Sequence, residues 1–339
     1  MKIVTEEILT ELIKRHGFDH FITDLTKTLK QDFSRWQEFN KVPRPAMHVT
    51  NGVLELMPIC DDTYYSFKYV NCHPKNYDVG LMTVVATGQL ARIDTGYPLL
   101  FSEMTLLTAL RTAATTAIAT DLMARKDSTV LAIIGTGAQS DFLVRAISQV
   151  RKLTEIRFFD IDSLAMAKFE KNSQHLGCTL VQCQSAEEAV RGADIVTTCT
   201  ACRAHVDVIK NKWITPGMHI NGIGGDSEGK TELEASILSR CQIAVEYLDQ
   251  CKIEGEIQRL TNTEINSRVT AELHELITNK KVCRVNDNQI TLYDSVGIAL
   301  EDYSALRLTY ELCNKYGLGQ DLNLTPNLSD AKNLISIAL

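Results

Sequence analysis

The sequence predicts an α/β protein in which a doubly wound parallel sheet follows an α+β portion. Two observations carry this prediction. Between residues 130 and 247, short apolar segments alternate with helical segments, which is typical of parallel strands covered by helices on both faces. Residues 46–101 are instead rich in Val, Thr and aromatic residues and contain turn signals, as in hairpins. The length of 339 residues suggests two domains.

The amino-terminal forty residues show the apolar periodicity of a helix. Apolar side chains recur mostly at steps of three and four residues: Phe18, Phe21, Ile22, Leu25, Leu29, Phe33 and Trp36. Strands are then predicted within HVTNGVLELMP (48–58), YYSFKYV (64–70), MTVVATGQLARI (82–93) and PLLF (98–101). The segment DTGY (94–97) is a hairpin-type turn, and a long helix dense in small residues is predicted over 103–126.

The alternating region supplies six further predicted strands. They are VLAIIG (130–135), EIRFFD (155–160), TLVQC (179–183), DIVTTCT (194–200), MHINGI (218–223) and QIAVEY (242–247). Helices are predicted from Ala138 onward and over 166–174, 185–193 and 231–238. A last long helix is predicted over 294–317, with Gly317 in the position of a C-cap.

The composition excludes several classes of function. A net charge of −7 argues against nucleic acid or an anionic membrane as the main partner. No run of 18 apolar residues is present, and the segment MKIVTEEILTELIKRHG lacks the apolar core of a signal peptide, so we expect a cytoplasmic protein without a membrane partner. The ten cysteines are scattered, and the pair Cys199–Cys202 lacks a second cysteine pair or a histidine pair to complete a zinc site, so no metal is expected.

A glycine-rich turn follows the first strand of the alternating region. In LAIIGTGAQS (131–140), Gly135 allows a tight turn and Gly137 lets the backbone approach a pyrophosphate, while the helix beginning near Ala138 offers N–H donors. Ser140 replaces the third glycine of the dinucleotide fingerprint. Asp160 ends the next strand, where a carboxylate accepts the ribose hydroxyls and repels a 2′-phosphate. These features predict a Rossmann-type domain that binds NAD rather than NADP.

A second glycine-rich segment, GGDSEGKT (224–231), matches the pattern of a phosphate-binding loop. Two features argue against that interpretation. The segment follows the fifth strand of a sheet whose first strand already carries a nucleotide fingerprint. It also places Asp226 and Glu228 inside the loop, where carboxylates would repel a polyphosphate. We therefore expect no triphosphate to bind here.

Three cations in the first portion have unusual neighbours. Arg44 stands between two prolines, Lys68 alternates with aromatic residues, and Arg111 interrupts an apolar helix. Arg is seldom buried without an anion, so the carboxylate of a substrate is a candidate partner for Arg111. Glu55 in GVLELMP could receive a substrate ammonium. The alternatives are a solvated turn for Arg44 and the open face of a strand for Lys68.

Several segments together carry a resemblance that runs through nearly the whole chain. They are RPAMH, GVLELMP, FKYVN, DTGYP, ALRTAATTAIA, IIGTGAQS, NGIGGDSEGKTEL, EGEIQ and DSVGIALED. In this order they resemble the ornithine cyclodeaminase/μ-crystallin family. The resemblance implies an α+β substrate-binding and dimerisation domain over 1–118 and 318–339, and an NAD-binding Rossmann domain over 119–317.

The resemblance also implies roles for individual residues. Asp226 would be the catalytic acid/base and contact the substrate. The substrate would otherwise contact Arg44, Glu55, Lys68, Arg111 and Val296. The cofactor would contact Thr83, Arg111, Gly135, Thr136, Gly137, Ala138, Gln139, Asp160, Thr200, Ile223, Gly224, Gly225, Lys230 and Ser295.

The implied reaction converts L-ornithine to L-proline and ammonia by internal hydride transfer to and from bound NAD, in a homodimer. Related possibilities are lysine cyclodeaminase, an alanine-dehydrogenase-like activity, ketimine reduction, or a non-catalytic binding protein of the μ-crystallin type. A pure binding protein needs no acid/base, so Asp226, Glu55 and the three cations together favour an enzyme. The sequence does not measure the pocket depth that would separate ornithine from lysine, which differ by one methylene.

Overall fold

The computed structural model describes residues 1–201 and 205–339. Cys202, the second member of the pair considered above, lies outside the described residues. No helix formed by the described residues is long and apolar enough to cross a membrane.

The first part of the chain forms two helices, a group of strands and a third helix. The helices are α1 (Glu6–His16), α2 (Phe18–Ser34) and α3 (Thr105–Met123). The strands are β1 (Lys2–Val4), β2 (Asn40–Lys41), β3 (Ala46–Val49), β4 (Gly52–Cys60), β5 (Tyr64–Cys72), β6 (Val84–Arg92) and β7 (Pro98–Glu103). These elements confirm the predicted helix near residues 18–36, the hairpin strands and the long helix after them.

The second part of the chain alternates strands with helices. The strands are β8 (Val130–Ile134), β9 (Glu155–Phe159), β10 (Thr179–Gln182), β11 (Ile195–Thr198), β12 (His205–Ile209), β13 (His219–Gly222), β14 (Thr231–Leu233), β15 (Cys241–Val245), β16 (Val269–Glu272), β17 (Ile290–Asp294) and β18 (Gln320–Asp321). The helices are α4 (Ser140–Val150), α5 (Ser163–Ser173), α6 (Ala186–Val190), α7 (Ala235–Leu238), α8 (Leu248–Glu254), α9 (Asn262–Arg268), α10 (Leu273–Ile277) and α11 (Ala299–Tyr316).

Two large sheets organise the described residues. The first has the order β18-β1-β7-β6-β5-β4-β2, with β3 also on β4, and it is antiparallel except for the β1–β7 pair. The second has the order β10-β9-β8-β11-β13-β17-β15-β16, and its neighbouring strands are parallel. The predicted doubly wound parallel sheet is confirmed, and all six predicted strands belong to it.

Two predicted helices were placed incorrectly. Residues 231–238 form β14 and then the short helix α7, not a single helix. Residues 294–317 begin as the end of β17, and the helix starts only at Ala299. Gly297 explains the late start, because its φ of 78° is left-handed and cannot belong to a right-handed helix. Gly317 has a φ of 64° and ends α11 as predicted.

Helix α11 packs against the first sheet, where it contacts β4, β5 and β6, and against α2 and α3. Its buried residues include Leu300, Tyr303, Leu306 and Leu312. The domain boundary expected at residue 317 would separate this helix from the sheet that it covers. We therefore propose that the second domain ends at Ile298, which precedes the helix.

Parallel strands bring their carboxyl ends to one edge of a sheet, so the segments that follow them meet there. The segments after β8, β11, β13 and β17 begin at Gly135, Cys199, Ile223 and Ser295. These strands are neighbours in the order β8-β11-β13-β17. The fold thus gathers most of the predicted cofactor contacts and Asp226 along a single edge.

Candidate active site

The turn after β8 has the backbone that the glycine pattern requires. Gly135 has a φ of 96°, and a Cβ there would lie 2.7 Å from the carbonyl oxygen of Cys199. Gly137 is exposed, and a Cβ there would have no protein atom within 4 Å. Gly135 is therefore required by the fold of the turn, whereas Gly137 leaves open space in front of helix α4. Ser140 is buried and its hydroxyl donates to the Gly137 carbonyl at 2.8 Å, which ties the turn to the helix.

Asp160 lies at the end of β9 and points back to this turn. Its Oδ2 accepts from the Thr136 amide at 2.6 Å and from the Thr136 hydroxyl at 3.2 Å. Its Oδ1 accepts from the Asp162 amide at 3.0 Å. The side chain is half-buried, so it remains open to a ligand beside Gly137. A glycine turn, a helix amino terminus and a carboxylate at the end of the second strand fit the adenosine half of NAD.

Gln139 and Thr200 extend this region. The Oε1 atom of Gln139 is buried and has no hydrogen-bond partner among the described residues, so it has an acceptor to offer. Thr200 donates its amide to Glu232 Oε1 at 2.7 Å, and its hydroxyl donates to the same atom. Ala138 is exposed in the turn. The neighbouring Cys199 thiol donates to the Gly135 carbonyl at 3.1 Å, and burial raises its pKa, so it is a structural thiol.

The segment GGDSEGKT passes over two buried carboxylates. A Cβ on Gly224 would lie 2.1 Å from Glu232 Oε2, and a Cβ on Gly225 would lie 2.9 Å from Glu256 Oε1. Glu256 accepts from the Glu232 amide at 2.7 Å. Gln258 binds the other side of the segment, since it accepts from the Gly229 amide at 2.7 Å. The two glycines are therefore explained by close packing on the carboxylates of Glu232 and Glu256.

Asp226 projects from this turn. Its carboxylate is 46% exposed, and Oδ1 lies 2.9 Å from the Nζ of the nearly buried Lys230. Burial alone would lower the pKa of Lys230, but Asp226 and Glu232 outweigh burial and raise it. Lys230 is therefore a persistent cation beside Asp226. Ile223, which precedes the glycines, is buried under the turn.

Arg44 reaches this turn from the first sheet. Its side chain is 7% exposed, so the alternative of a solvated turn is wrong. Its Nε lies 3.1 Å from Glu55 Oε1, and its Nη2 binds Glu254 and also donates to the Asp226 carbonyl at 2.8 Å. Burial opposes the charge of Arg44, but Glu254 and Glu55 raise its pKa. Burial also raises the pKa of Glu55, which Arg44 opposes.

Lys68 and Arg111 share a second group of carboxylates. Lys68 is 1% exposed, so the alternative of an open strand face is also wrong. Its Nζ lies 2.9 Å from Asp302 Oδ1, and Arg111 Nε lies 3.2 Å from the same atom. Arg111 Nη1 lies 2.5 Å from Glu301 Oε2. The anion expected near Arg111 is thus present within the protein, and a substrate would have to join this group.

The segment after β17 is held by one buried acid, Glu246. Its Oε1 accepts from the hydroxyls of Tyr293 (2.6 Å) and Ser295, and its Oε2 accepts from the amides of Val296 (3.1 Å) and Gly297 (2.6 Å). Ser295 and Val296 are therefore fixed next to Gly297. The Arg111 guanidinium lies against Gly297, where a side chain would collide with it. Thr83 precedes β6, and its carbonyl accepts from His73. Among the described residues Thr83 makes no hydrogen bond to another predicted site residue.

The acids that hold this arrangement in place have no role among the sequence-based predictions. They are Glu232, Glu246, Glu254, Glu256, Glu301 and Asp302, and all are buried. A signal was present, because these acids stand within apolar segments such as QIAVEY (242–247) and GIALED (297–302). Buried acids need partners, so each one predicts a hydrogen-bonding contact even when the partner cannot be named from sequence.

Comparison with known proteins identifies the family of the chain. The model of the ornithine cyclodeaminase/mu-crystallin family matches residues 8–316. The chain is 45% identical over 336 residues to the ornithine cyclodeaminase of Agrobacterium fabrum, covering 99% of this chain and 94% of that protein.

Two solved structures are similar over almost the whole chain. An archaeal alanine dehydrogenase dimer with bound NAD has a TM-score of 0.88 at 32% identity and covers 96% of this chain and 99% of its own. A lysine cyclodeaminase studied for its recognition of L-lysine, L-ornithine and L-2,4-diaminobutyric acid has a TM-score of 0.91 at 25% identity, with 98% of both chains covered. The chain belongs to the ornithine cyclodeaminase/μ-crystallin family.

Proposed function

We propose that this protein is an ornithine cyclodeaminase, which converts L-ornithine to L-proline and ammonia. The observation that carries the proposal is the position of Asp226. This half-exposed carboxylate lies on the sheet edge that carries the dinucleotide-type turn, and Arg44 from the other sheet binds its main-chain carbonyl. An acid/base group, a cofactor turn and a set of cations therefore converge. The similarity to an ornithine cyclodeaminase at 45% identity supports the same activity.

NAD fits the residues along this edge. The exposed backbone of Gly137 and the start of α4 would receive the pyrophosphate, and the Asp160 carboxylate would accept the ribose hydroxyls. Thr200, Ser295 and the turn over Ile223–Gly225 would border the nicotinamide half. When bound, NAD would accept a hydride from the substrate carbon that bears the amino group and return it later in the same cycle.

The cations would hold the substrate by its carboxylate. Lys68 and Arg111 are fixed by Asp302 on α11, and Arg44 lies close enough to lower the pKa of Lys68, so a carboxylate bound by the three cations would be held at several points. Val296, whose own amide donates to Glu246, would pack against the substrate. Glu55 and Glu254 both face Arg44 and would provide negative charge for the substrate's terminal ammonium.

Asp226 would move the protons of the reaction. Its carboxylate is free on one oxygen, since Oδ1 faces Lys230 and among the described residues no hydrogen bond is made by Oδ2. A group in this state can take a proton from a substrate amine and return it to the leaving nitrogen. Lys230 lies 2.9 Å from Asp226 Oδ1 and holds the carboxylate in place between these events.

We further propose that the protein is a homodimer built on the first sheet. The outward-facing residues of its strands are unusually apolar, and Met47, Leu56, Tyr69 and Val85 are 41–73% exposed. Tyr77, Val79, Leu81 and Met82 continue this surface between β5 and β6. A contiguous apolar surface of this kind is typical of a permanent interface. Sedimentation analysis of the purified protein should give a mass of two chains, and a monomer at micromolar concentration would contradict the proposal.

One experiment tests the activity and separates it from its rivals. The purified protein is incubated with L-ornithine and catalytic NAD, and proline, ammonia and NADH are followed. Proline and ammonia in equal amounts without accumulation of NADH support the cyclodeaminase. Steady accumulation of NADH with L-alanine would instead support a dehydrogenase. Cyclic product formed from L-lysine but not from L-ornithine would support a lysine cyclodeaminase. Binding of NAD without turnover of any of these amino acids would support a binding protein.

A further inference from the structure

The carboxylate of Asp302 is shared by two of the predicted clamp cations. Its Oδ1 lies 2.9 Å from Lys68 Nζ and 3.2 Å from Arg111 Nε. Asp302 is 1% exposed, and its Oδ2 has no hydrogen-bond partner among the described residues. One buried carboxylate thus determines the positions of two cations that come from different elements, β5 and α3.

Among the described residues, Asp302 is the acid that pairs directly with the Lys68 ammonium. Arg111 on α3 and Arg44 before β3 place two positive charges near the ammonium, while Glu55 on β4 and Asp302 on α11 are negative. Glu55 is already paired with Arg44 at 3.1 Å. Asp302 is therefore the carboxylate in hydrogen-bonding contact with Lys68. Burial and Arg111 together lower the pKa of Lys68 to about 8, although Asp302 opposes them.

Lys68 and Arg111 have further N–H groups that could bind another anion. An ammonium has three N–H donors, and among the described residues Lys68 uses one of them, with Asp302. Arg111 uses Nε and Nη1, with Asp302 and Glu301, and its Nη2 makes no hydrogen bond to a described residue. Asp302 thus holds the two cations without exhausting them.

We propose that Asp302 is a positioning residue that keeps Lys68 in its ammonium form and fixes Lys68 and Arg111 as one receptor for the substrate carboxylate. The proposal rests on the proposed function of these two cations in substrate binding. Removing the charge of Asp302 while keeping its shape leaves the Lys68 ammonium buried beside a guanidinium. The ammonium then loses its proton at a lower pH, and the receptor loses one of its charges.

The Asp302→Asn variant of the full chain tests the proposal directly. Lysine labelled with ¹³C at Cε reports the titration of Lys68, with Lys68→Arg identifying its signal. The midpoint should lie near pH 8 in the parent protein and fall by about one unit or more in Asp302→Asn. An unchanged midpoint would overturn the proposal. Because this measurement needs no turnover, it remains decisive even if L-ornithine is not the substrate.

Kinetics provides the second readout. A shift of one unit reduces the ammonium fraction at pH 8 from about one half to about one tenth, so kcat/KM for L-ornithine should fall about fivefold at pH 8 and little at pH 6. Asp302→Asn/Lys68→Arg should abolish this pH dependence, because a guanidinium stays charged. The control Asp321→Asn removes an exposed partner of Lys2 and should change nothing. An equal loss at every pH would indicate a purely structural role and contradict the proposal, whereas an inactive parent protein would contradict the proposed function.

Discussion

The guanidinium of Arg44 donates a 2.8 Å hydrogen bond to the main-chain carbonyl of Asp226. Arg44 precedes the hairpin of the first sheet, whereas Asp226 follows β13 of the parallel sheet. This bond joins a predicted substrate-binding residue to the predicted catalytic residue across the two sheets. The same guanidinium also contacts Glu55 and Glu254, so its position is set from both sides.

Replacement of Arg44 by lysine tests whether the planar guanidinium, and not the positive charge alone, is needed for activity. A lysine keeps the charge but cannot span Glu55, Glu254 and the Asp226 carbonyl with one planar fork. We expect kcat/KM for L-ornithine to fall on the order of 100-fold, as misplaced catalytic groups commonly cause. Steady-state kinetics measures this change. Arg92→Lys, at an exposed pair with Asp94, is the matched control and should be neutral; parent-like kinetics in Arg44→Lys would contradict the assignment.

Asp226→Asn should remove turnover and leave the cofactor bound. The amide is nearly the same size as the carboxylate but cannot take up a proton, so the rate should fall by about 10²–10⁴-fold. Proline formation measures the rate, and NADH fluorescence measures binding. Glu228→Gln makes the same chemical change at an exposed position in the same turn and should stay active. Activity above about one hundredth of the parent value in Asp226→Asn, the lower limit of that range, would exclude an acid/base role.

The two glycines of the cofactor turn should respond differently to alanine. Gly135→Ala introduces a Cβ 2.7 Å from a backbone carbonyl at a left-handed φ, so the protein should lose stability, by about 1–3 kcal/mol or more. Gly137→Ala meets no protein atom within 4 Å, so the melting temperature should be kept while NAD binding weakens. Thermal unfolding and NAD titration measure the two effects. Tight NAD binding by Gly137→Ala would show that the cofactor does not approach this backbone.

Acid should destabilise the fold through His219. This side chain is buried between Thr291 and Asn221, and burial lowers its pKa to about 3. The unfolded chain binds a proton below about pH 6.5 while the folded chain does not, so stability falls as the pH drops from 6.5 toward 3. Between pH 6.5 and 5 the loss is on the order of 2 kcal/mol.

Urea unfolding at pH 7.5 and pH 5 tests this coupling. His219→Gln should show a smaller difference in unfolding free energy between the two pH values than the parent protein. His175→Gln alters an exposed histidine and should keep the parent difference. An identical pH dependence in His219→Gln and the parent would mean that His219 does not resist protonation in the folded state.

Local patterns were sufficient for much of the fold and for the cofactor turn. The six strands of the alternating region, the helix near residues 18–36 and the glycine turn at Gly135 and Gly137 were all predicted within a few residues. Each depends on spacing within a short segment, which the sequence states directly. Strands β16 and β17 were missed. β17 was missed because ITLYD (290–294) runs without a break into an apolar helical segment. The boundary depends on the left-handed φ of Gly297, which cannot be read from the sequence.

The sequence by itself determined the parallel sheet, the family, and the residue types available for chemistry at Asp160 and Asp226. Only the tertiary structure decided how the charges pair. Arg111 is separated from its partners Glu301 and Asp302 by 190 and 191 positions in the sequence. Arg44 is separated from Glu254 by 210 positions. These pairs form because the packing of the two sheets buries their side chains in the same place. Burial makes a charge without a partner energetically costly, so these buried charges are paired. The alternatives of a solvated turn for Arg44 and an open strand face for Lys68 were wrong for this reason.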